Sequence, residues 1–187
     1  MDNFKYVKNC KLCKSPELDN VLQLVALPIG DRYVPEADKM KVVDTYPLDI
    51  MMCQDCGHYQ NGGYVNPDLI YGYYLSRPAT TNPVLSDIYK EYVTDLLTKY
   101  VKKTEVFAVE AGSNDGAFIG FLQDKGSKVL GIEPSPNLSK QANDHGIPTL
   151  NDYFSLVCAK KIKDEHGEAD CFIANHTFSN IIDLDDF

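Results

Sequence analysis

Four of the six cysteines occur as two Cys-x-x-Cys pairs, and these pairs constrain the fold more than any other feature of the sequence. The pairs are Cys10 with Cys13 and Cys53 with Cys56. Two such pairs supply the four thiolates of a tetrahedral Zn²⁺ site, with metal–sulfur distances of about 2.3 Å. The sequence therefore predicts a zinc-binding N-terminal region in which residues 14–52 fold as an insert between the two halves of the site.

A zinc site of this composition is expected to be structural. Four thiolates leave no open coordination position for water or substrate, so the metal would hold together a small, turn-rich module. A redox dithiol is the alternative, but redox motifs usually lie between a strand and a helix of a βαβ unit, and neither pair does. The remaining cysteines, Cys158 and Cys171, are interpreted as small buried apolar residues.

The chain of 187 residues has a net charge of −9 and is 44% hydrophobic, which is ordinary globular composition. An acidic chain repels phosphate backbones and anionic lipid surfaces, so we expect no nucleic-acid or membrane partner. The four lysines within residues 5–14 are interpreted as a solvated face. No apolar run approaches the roughly 20 residues that span a bilayer, and the N-terminus lacks the apolar segment of a secretory signal. We therefore expect a cytoplasmic protein.

The sequence divides into three parts. Residues 1–66 are turn-rich and contain both cysteine pairs, and residues 67–103 are a tyrosine-rich linker followed by an amphipathic helix that Asn82 and Pro83 begin. Over residues 104–187, four short strands alternate with helices, which predicts right-handed βαβ units and a parallel sheet. The expected fold class is α/β, a partial Rossmann-like sheet preceded by a small zinc-binding domain.

A glycine-containing turn follows the first of these strands, at the sheet edge where doubly wound folds bind ligands. Residues 110–116 read Glu-Ala-Gly-Ser-Asn-Asp-Gly, which departs from the Gly-x-Gly-x-x-Gly pattern of dinucleotide-binding turns. Glu110 and Asp115 would repel a diphosphate and attract S-adenosylmethionine, which carries a sulfonium and an ammonium group. Glu133 ends the second strand, where an acid can accept both ribose hydroxyls. The pattern favours S-adenosylmethionine over NAD. The alternative is a turn that only connects the strand to the helix and binds no ligand.

Beyond the cysteine pairs, four segments of the chain carry a family resemblance: residues 110–116, 131–135, 146–148 and 169–175. Together, and in this order, they resemble the sugar C-methyltransferases of deoxysugar biosynthesis. The resemblance implies a zinc-binding domain, a Rossmann-like S-adenosylmethionine domain and a further C-terminal domain. It also implies methylation of the carbon next to a ketone on a nucleotide-linked sugar, through an enolate formed by a general base.

The resemblance also implies roles for individual residues. The four paired cysteines match the zinc ligands. The residues that match cofactor contacts are Glu110, Gly112, Asn114, Asp115, Glu133, Phe154 and Asn175. Phe154 would border the adenine. The candidates on the substrate side are Tyr71, Tyr73 and Tyr74, with His176 as a candidate base. Packing between domains is the alternative role of the tyrosines.

Two departures from the family pattern limit these implications. Family members commonly have Asn where this chain has His176, and His where it has Asn180. The chain also ends at Phe187, just after the fourth predicted strand, so we expect a fragment without the family's catalytic base region. A zinc-containing binding module with an inactive half-Rossmann domain is therefore the alternative function.

Overall fold

The structure is a computed structural model, and the residues that it describes are 3–30, 32–76 and 81–187. The chain divides into two compact units. The first unit is Met1–Tyr71 with Ile182–Asp185, and the second is Gly72–Ile181 with Asp186–Phe187. Residues 77–80 of the predicted 67–103 segment lie outside the described residues. No helix within the described ranges is long and apolar enough to cross a membrane.

The first unit contains two small antiparallel sheets. Its strands are β1 (Phe4–Tyr6), β2 (Leu18–Leu27), β3 (Tyr46–Cys53), β4 (Tyr59–Asn61) and β5 (Gly63–Val65). The larger sheet has the order β2-β3-β4, and β1 pairs with β5 in the smaller one. The helical elements are a 3-10 turn at Glu36–Asp38 and α1 (Asp68–Tyr71). Because β3 ends at Cys53, the larger sheet positions the second cysteine pair directly.

The second unit alternates helices with parallel strands. Its helices are α2 (Pro83–Asp95, continued by a π-helical turn over Leu96–Val101), α3 (Ala117–Asp124), α4 (Pro136–Asp144) and α5 (Leu156–His166), followed by a 3-10 turn at Phe178–Asn180. Its strands are β6 (Phe107–Ala111), β7 (Lys128–Ile132), β8 (Thr149–Leu150) and β9 (Cys171–Ile173). They form one parallel sheet in the order β8-β7-β6-β9. The predicted α/β class with a partial parallel sheet is confirmed.

Successive side chains of β6 bury opposite faces of this sheet. Ala108 packs in one apolar cluster with Ile119 of α3, whereas its neighbour Val109 packs in a second cluster with Ile162 of α5. Helices therefore cover both faces, as parallel sheets require. The chain runs outward from β6 to β8 and then returns to the other side of β6, so the switch point lies between β6 and β9. Ligand sites are expected beyond the carboxyl ends of the strands at this point.

The boundaries of several helices and strands can be compared with the predictions from the sequence. Asn82 Oδ1 accepts hydrogen bonds from the N–H groups that follow Pro83 and so begins α2, as predicted. β8 covers only two residues, and the Ile147 side chain packs beside Gly116. β9 covers three residues. The four predicted strands of the second unit are present, and two of them are very short.

Candidate functional site

The first unit brings the four paired cysteines together. The sulfur atoms that lie within 4.8 Å of one another belong to Cys10, Cys13, Cys53 and Cys56. The Sγ–Sγ distance is 3.7 Å between Cys10 and Cys56 and 3.5 Å between Cys13 and Cys53. A tetrahedron with 2.3 Å metal–sulfur bonds has edges of about 3.8 Å. The cluster therefore has the donor set and the spacing of a structural zinc site.

The two cysteine pairs adopt the same backbone turn. The Lys14 N–H donates a hydrogen bond of 2.9 Å to the Cys10 carbonyl, and the Gly57 N–H donates one of the same length to the Cys53 carbonyl. The residue that closes each turn has a positive φ, +66° at Lys14 and +73° at Gly57. This equivalence presents both sulfurs of each pair towards the other pair.

A buried glutamine connects the first pair to the sheet that carries the second. Gln60 lies on β4 and is 7% exposed. Its Oε1 accepts a 2.8 Å hydrogen bond from the Lys11 N–H, and its Nε2 donates a 3.2 Å hydrogen bond to the Asn9 carbonyl. The loop of the first pair is thereby fixed in register with β4, which pairs with β3. The sequence analysis did not identify Gln60, since nothing local marks a lone glutamine as a loop anchor.

The second unit contains an acidic cavity of about 190 Å³ beyond the ends of β6 and β9. The residues that line it are Ser76, Leu85, Tyr89, Glu110, Gly112, Ser113, Asn114, Asp115, Ala117, Phe118, Asn175 and His176. Five of the seven predicted cofactor residues are among them: Glu110, Gly112, Asn114, Asp115 and Asn175. The cavity lies at the switch point of the sheet, where the topology places a ligand.

Glu110 is the most unusual group in this cavity. Glu110 is the penultimate residue of β6 and is 3% exposed, and its Oε1 accepts a 3.3 Å hydrogen bond from Asn175 Nδ2. Its Oε2 is buried and has no hydrogen-bond partner among the described residues. Burial raises the pKa of Glu110 to about 8, against the hydrogen bond from Asn175, and the charges of Asp115 and Glu133 act in the same direction as burial. A buried acceptor without a donor is unusual enough to suggest a missing ligand.

Two further acids stand near the glycine turn, and each is oriented by backbone N–H groups. Glu133 accepts a 2.9 Å hydrogen bond from Asn114 and a 2.8 Å hydrogen bond from Ser135, one on each carboxylate oxygen. Asp115 Oδ1 accepts from the Ala117 N–H at the start of α3. Burial raises the pKa of both acids, although these N–H donors oppose the shift. Counting only donors from the described part of the chain, each oxygen of Glu133 keeps a free lone pair for a further donor.

The backbone of the turn requires glycine at its first bend. Gly112 has a φ of +71°, and a Cβ at this position would collide with the side chain of Thr177. Asn114 also has a positive φ, +55°, which asparagine tolerates better than most residues. The turn therefore places the backbone at Gly112 directly against the Thr177 side chain.

Two other predicted residues lie at different distances from this cavity. His176 lines it, with an exposed side chain and a φ of +54°. Phe154 is not among the lining residues; its ring centroid lies 4.6 Å from that of Phe172 and 5.2 Å from that of Phe187. Its contact with an adenine stays a prediction.

The three predicted tyrosines have different environments. Tyr71 ends α1 in the first unit, whereas Tyr73 and Tyr74 belong to the second. The Tyr73 side chain is 70% exposed. The Tyr74 backbone is fixed at the start of α4, where its N–H donates to Ser135 Oγ at 3.1 Å and its carbonyl accepts from Asn137 Nδ2 at 2.8 Å. A substrate contact of these tyrosines stays a prediction.

One wall of the cavity was not identified from the sequence. Leu85 and Tyr89 of α2 line it together with Phe118 of α3. The three-four spacing of apolar residues predicted only that this face of α2 is buried. Which part of a buried face borders a cavity depends on how α2 packs on α3, and that information is not local in the sequence.

Comparison with known proteins shows what the chain is similar to. Residues 10–71, which contain all four clustered cysteines, match the family model of the Methyltransf_13 zinc-binding domain. The chain is also 24% identical over 184 residues to the C-methyltransferase NovU of Streptomyces niveus, and the alignment covers 98% of this chain. Over nearly its whole length, the chain is therefore similar to a C-methyltransferase. The resemblance stated from the sequence motifs is confirmed, and so is an N-terminal zinc-binding domain.

The match also shows what share of the relative's length this chain covers. It spans 43% of the length of the Streptomyces protein. The match to a zinc-binding domain and the partial parallel sheet concern residues of this chain.

Proposed function

We propose that this chain carries the zinc-binding and cofactor-binding parts of an S-adenosylmethionine-dependent C-methyltransferase that acts on a nucleotide-linked keto-deoxysugar in the cytoplasm. One observation carries the proposal. Glu110 is buried, one of its oxygens has no hydrogen-bond partner among the described residues, and it lines a cavity at the switch point of the sheet. Such an acid is complementary to a ligand that brings positive charge and N–H donors, as the ammonium group of S-adenosylmethionine does.

The charge of the surrounding residues supports this cofactor over a dinucleotide. Asp115 lines the same cavity, and Glu133 is held near its edge by Asn114. The negative charges of Asp115 and Glu133 would repel the pyrophosphate of NAD. Glu133, with a free lone pair on each oxygen, is suited to accept the two ribose hydroxyls. Zinc bound by the four cysteines would stabilise the first unit and take no part in the reaction.

The proposed reaction transfers a methyl group to the carbon next to a ketone. When bound, the cofactor supplies this methyl group on a positively charged sulfur. The chain's own contribution would be to orient the cofactor through Glu110 and Glu133, a positioning effect. Tyr71, Tyr73 and Tyr74 are the proposed sugar contacts, and a tyrosine hydroxyl is a suitable donor to an enolate oxygen. His176, on the cavity wall, is this chain's candidate to remove the proton from the carbon.

Isothermal titration calorimetry on the zinc-loaded chain tests the cofactor assignment. We expect binding of S-adenosylmethionine by the wild type, no binding of NADH, and at least tenfold weaker binding of S-adenosylmethionine by Glu110→Gln. The matched control is Glu105→Gln, at an exposed position, which should bind like the wild type. Binding of NADH without binding of S-adenosylmethionine would overturn the proposal. Binding of neither compound would favour the alternative, a zinc-containing binding module.

A further inference from the structure

The acidic cavity has an aromatic wall formed by residues of two helices. Tyr89 of α2 lines the cavity, and its ring meets the ring of Phe118 edge to face, with centroids 5.3 Å apart. Burial raises the pKa of the Tyr89 hydroxyl, and the negative charges of Glu110 and Asp115 raise it further. The phenol ring therefore lies in the field of both carboxylates, in the same cavity.

An aromatic ring beside two carboxylates is a suitable environment for a particular kind of cation. The N–H groups of an ammonium group donate hydrogen bonds to carboxylate oxygens. A sulfonium has no N–H and interacts by charge alone, so the electron-rich face of an aromatic ring is a favourable neighbour for it. The cavity offers both kinds of partner, an unsatisfied oxygen on Glu110 and the ring of Tyr89.

The sheet topology indicates which half of the cofactor reaches Tyr89; this step rests on the proposed function. Glu133 follows β7, and a ribose bound there would place the adenosine over the end of β7. The cavity lies beyond the ends of β6 and β9, and Glu133 is not among the residues that line it. The methionine half, which carries both positive charges, would then extend into the cavity towards α2.

We propose that Tyr89 is a specificity-determining residue that recognises the sulfonium of S-adenosylmethionine through the face of its ring. The reaction converts this sulfonium into the neutral thioether of S-adenosylhomocysteine. Tyr89 would thus stabilise the reactant and lose its interaction with the product, which favours exchange of product for fresh cofactor. Its contribution is a binding preference, and the chemical step needs no proton from it.

Calorimetric titrations with both compounds test this preference. The measured quantity is the ratio of the dissociation constant of S-adenosylhomocysteine to that of S-adenosylmethionine. Tyr89→Phe retains the ring and should keep the wild-type ratio. Tyr89→Leu should lower the ratio about threefold to thirtyfold, the range of cation–π interactions. Tyr92→Leu is the matched control, because Tyr92 packs on the same Phe118 ring at 5.0 Å without lining the cavity, and it should leave the ratio unchanged.

Several results would overturn the proposed role of Tyr89. They can be distinguished from results that contradict the proposed function. If the wild type binds S-adenosylmethionine but Tyr89→Leu keeps the ratio, or weakens both compounds equally, Tyr89 does not recognise the sulfonium. A changed ratio in Tyr89→Phe would assign the effect to the hydroxyl and contradict the role of the ring. If the leucine variant does not fold, phenylalanines with increasing ring fluorination at position 89 preserve shape, and the ratio must then fall stepwise. No binding by the wild type would instead contradict the proposed function.

Discussion

Asn175 Nδ2 donates a 3.3 Å hydrogen bond to Glu110 Oε1 and so joins the ends of β9 and β6 across the switch point of the sheet. The bond satisfies one oxygen of a carboxyl group that is almost fully buried and leaves the other without a partner among the described residues. One neutral donor cannot offset the cost of burying a negative charge. Glu110 is therefore held largely protonated at neutral pH, and its titration should be visible in both stability and binding.

The first prediction concerns stability. The folded-state pKa of Glu110 is raised from 4.5 to about 8. Below pH 4.5 the carboxyl is protonated in both the folded and the unfolded chain. Between these two values the unfolded chain loses the proton while the folded chain keeps it, so the free energy of unfolding should decrease as the pH rises. Glu110→Gln, which stays neutral, should be more stable than the wild type at pH 8, by up to a few kcal/mol, roughly.

Urea unfolding of the zinc-saturated protein at pH 5 and pH 8 measures this slope. Glu110→Gln should show a smaller loss of stability between the two pH values than the wild type. Glu105→Gln, at an exposed position, should follow the wild type. Identical slopes for the wild type and Glu110→Gln would mean that Glu110 ionises normally in the folded protein.

The second prediction concerns proton release on binding. A cation next to Glu110 favours the ionised carboxylate, so binding S-adenosylmethionine at pH 7 should release close to one proton, and affinity should rise between pH 6 and pH 8. Calorimetry in two buffers of different ionisation enthalpy counts the protons released. In Glu110→Gln the release should be nearly absent, because only the smaller shifts of Asp115 and Glu133 remain. Equal release in both proteins would exclude Glu110 as the linked group.

Much of this arrangement follows from local sequence patterns. Two Cys-x-x-Cys pairs are enough to predict a zinc site, because the donor set and the spacing are both local. The acids Glu110 and Glu133 are predicted from their positions at the ends of two strands, since parallel strands bring their carboxyl ends to one edge of the sheet. The helix start at Asn82 is likewise a local capping preference.

Other parts depend on contacts between distant segments. Gln60 is separated by about fifty residues from the loop that it anchors, and no periodicity marks it. Tyr89 occupies an ordinary position of an amphipathic helix, and only the packing of α2 on α3 gives it a cavity to line. Local patterns therefore point to the two acids that line the cavity, Glu110 and Asp115, but give no sign of its aromatic wall or of the anchor of the metal centre.

The third prediction tests that anchor. Gln60→Leu preserves approximate volume but leaves the Lys11 N–H and the Asn9 carbonyl without their partners. We expect a loss of about 1–3 kcal/mol in the free energy of zinc binding, the cost of leaving such groups unsatisfied. Competition with a chromogenic chelator measures it. The matched control is Gln54→Leu, on the exposed turn of the second pair, and an equal loss of affinity there would contradict an anchoring role for Gln60.

The fourth prediction uses the equivalence of the two cysteine turns. Gly57 closes the second turn with a φ of +73°, and a Cβ there would meet no atom within 4 Å. Gly57→Ala should therefore act through backbone strain alone, lowering the stability of the zinc-loaded protein by about 1–2 kcal/mol. Gly30 also has open space around a Cβ but lacks the positive φ, so Gly30→Ala should be neutral or slightly stabilising. Thermal unfolding of both variants separates the two effects, and equal behaviour would show that the left-handed turn is not needed to hold Cys53 and Cys56 at the metal.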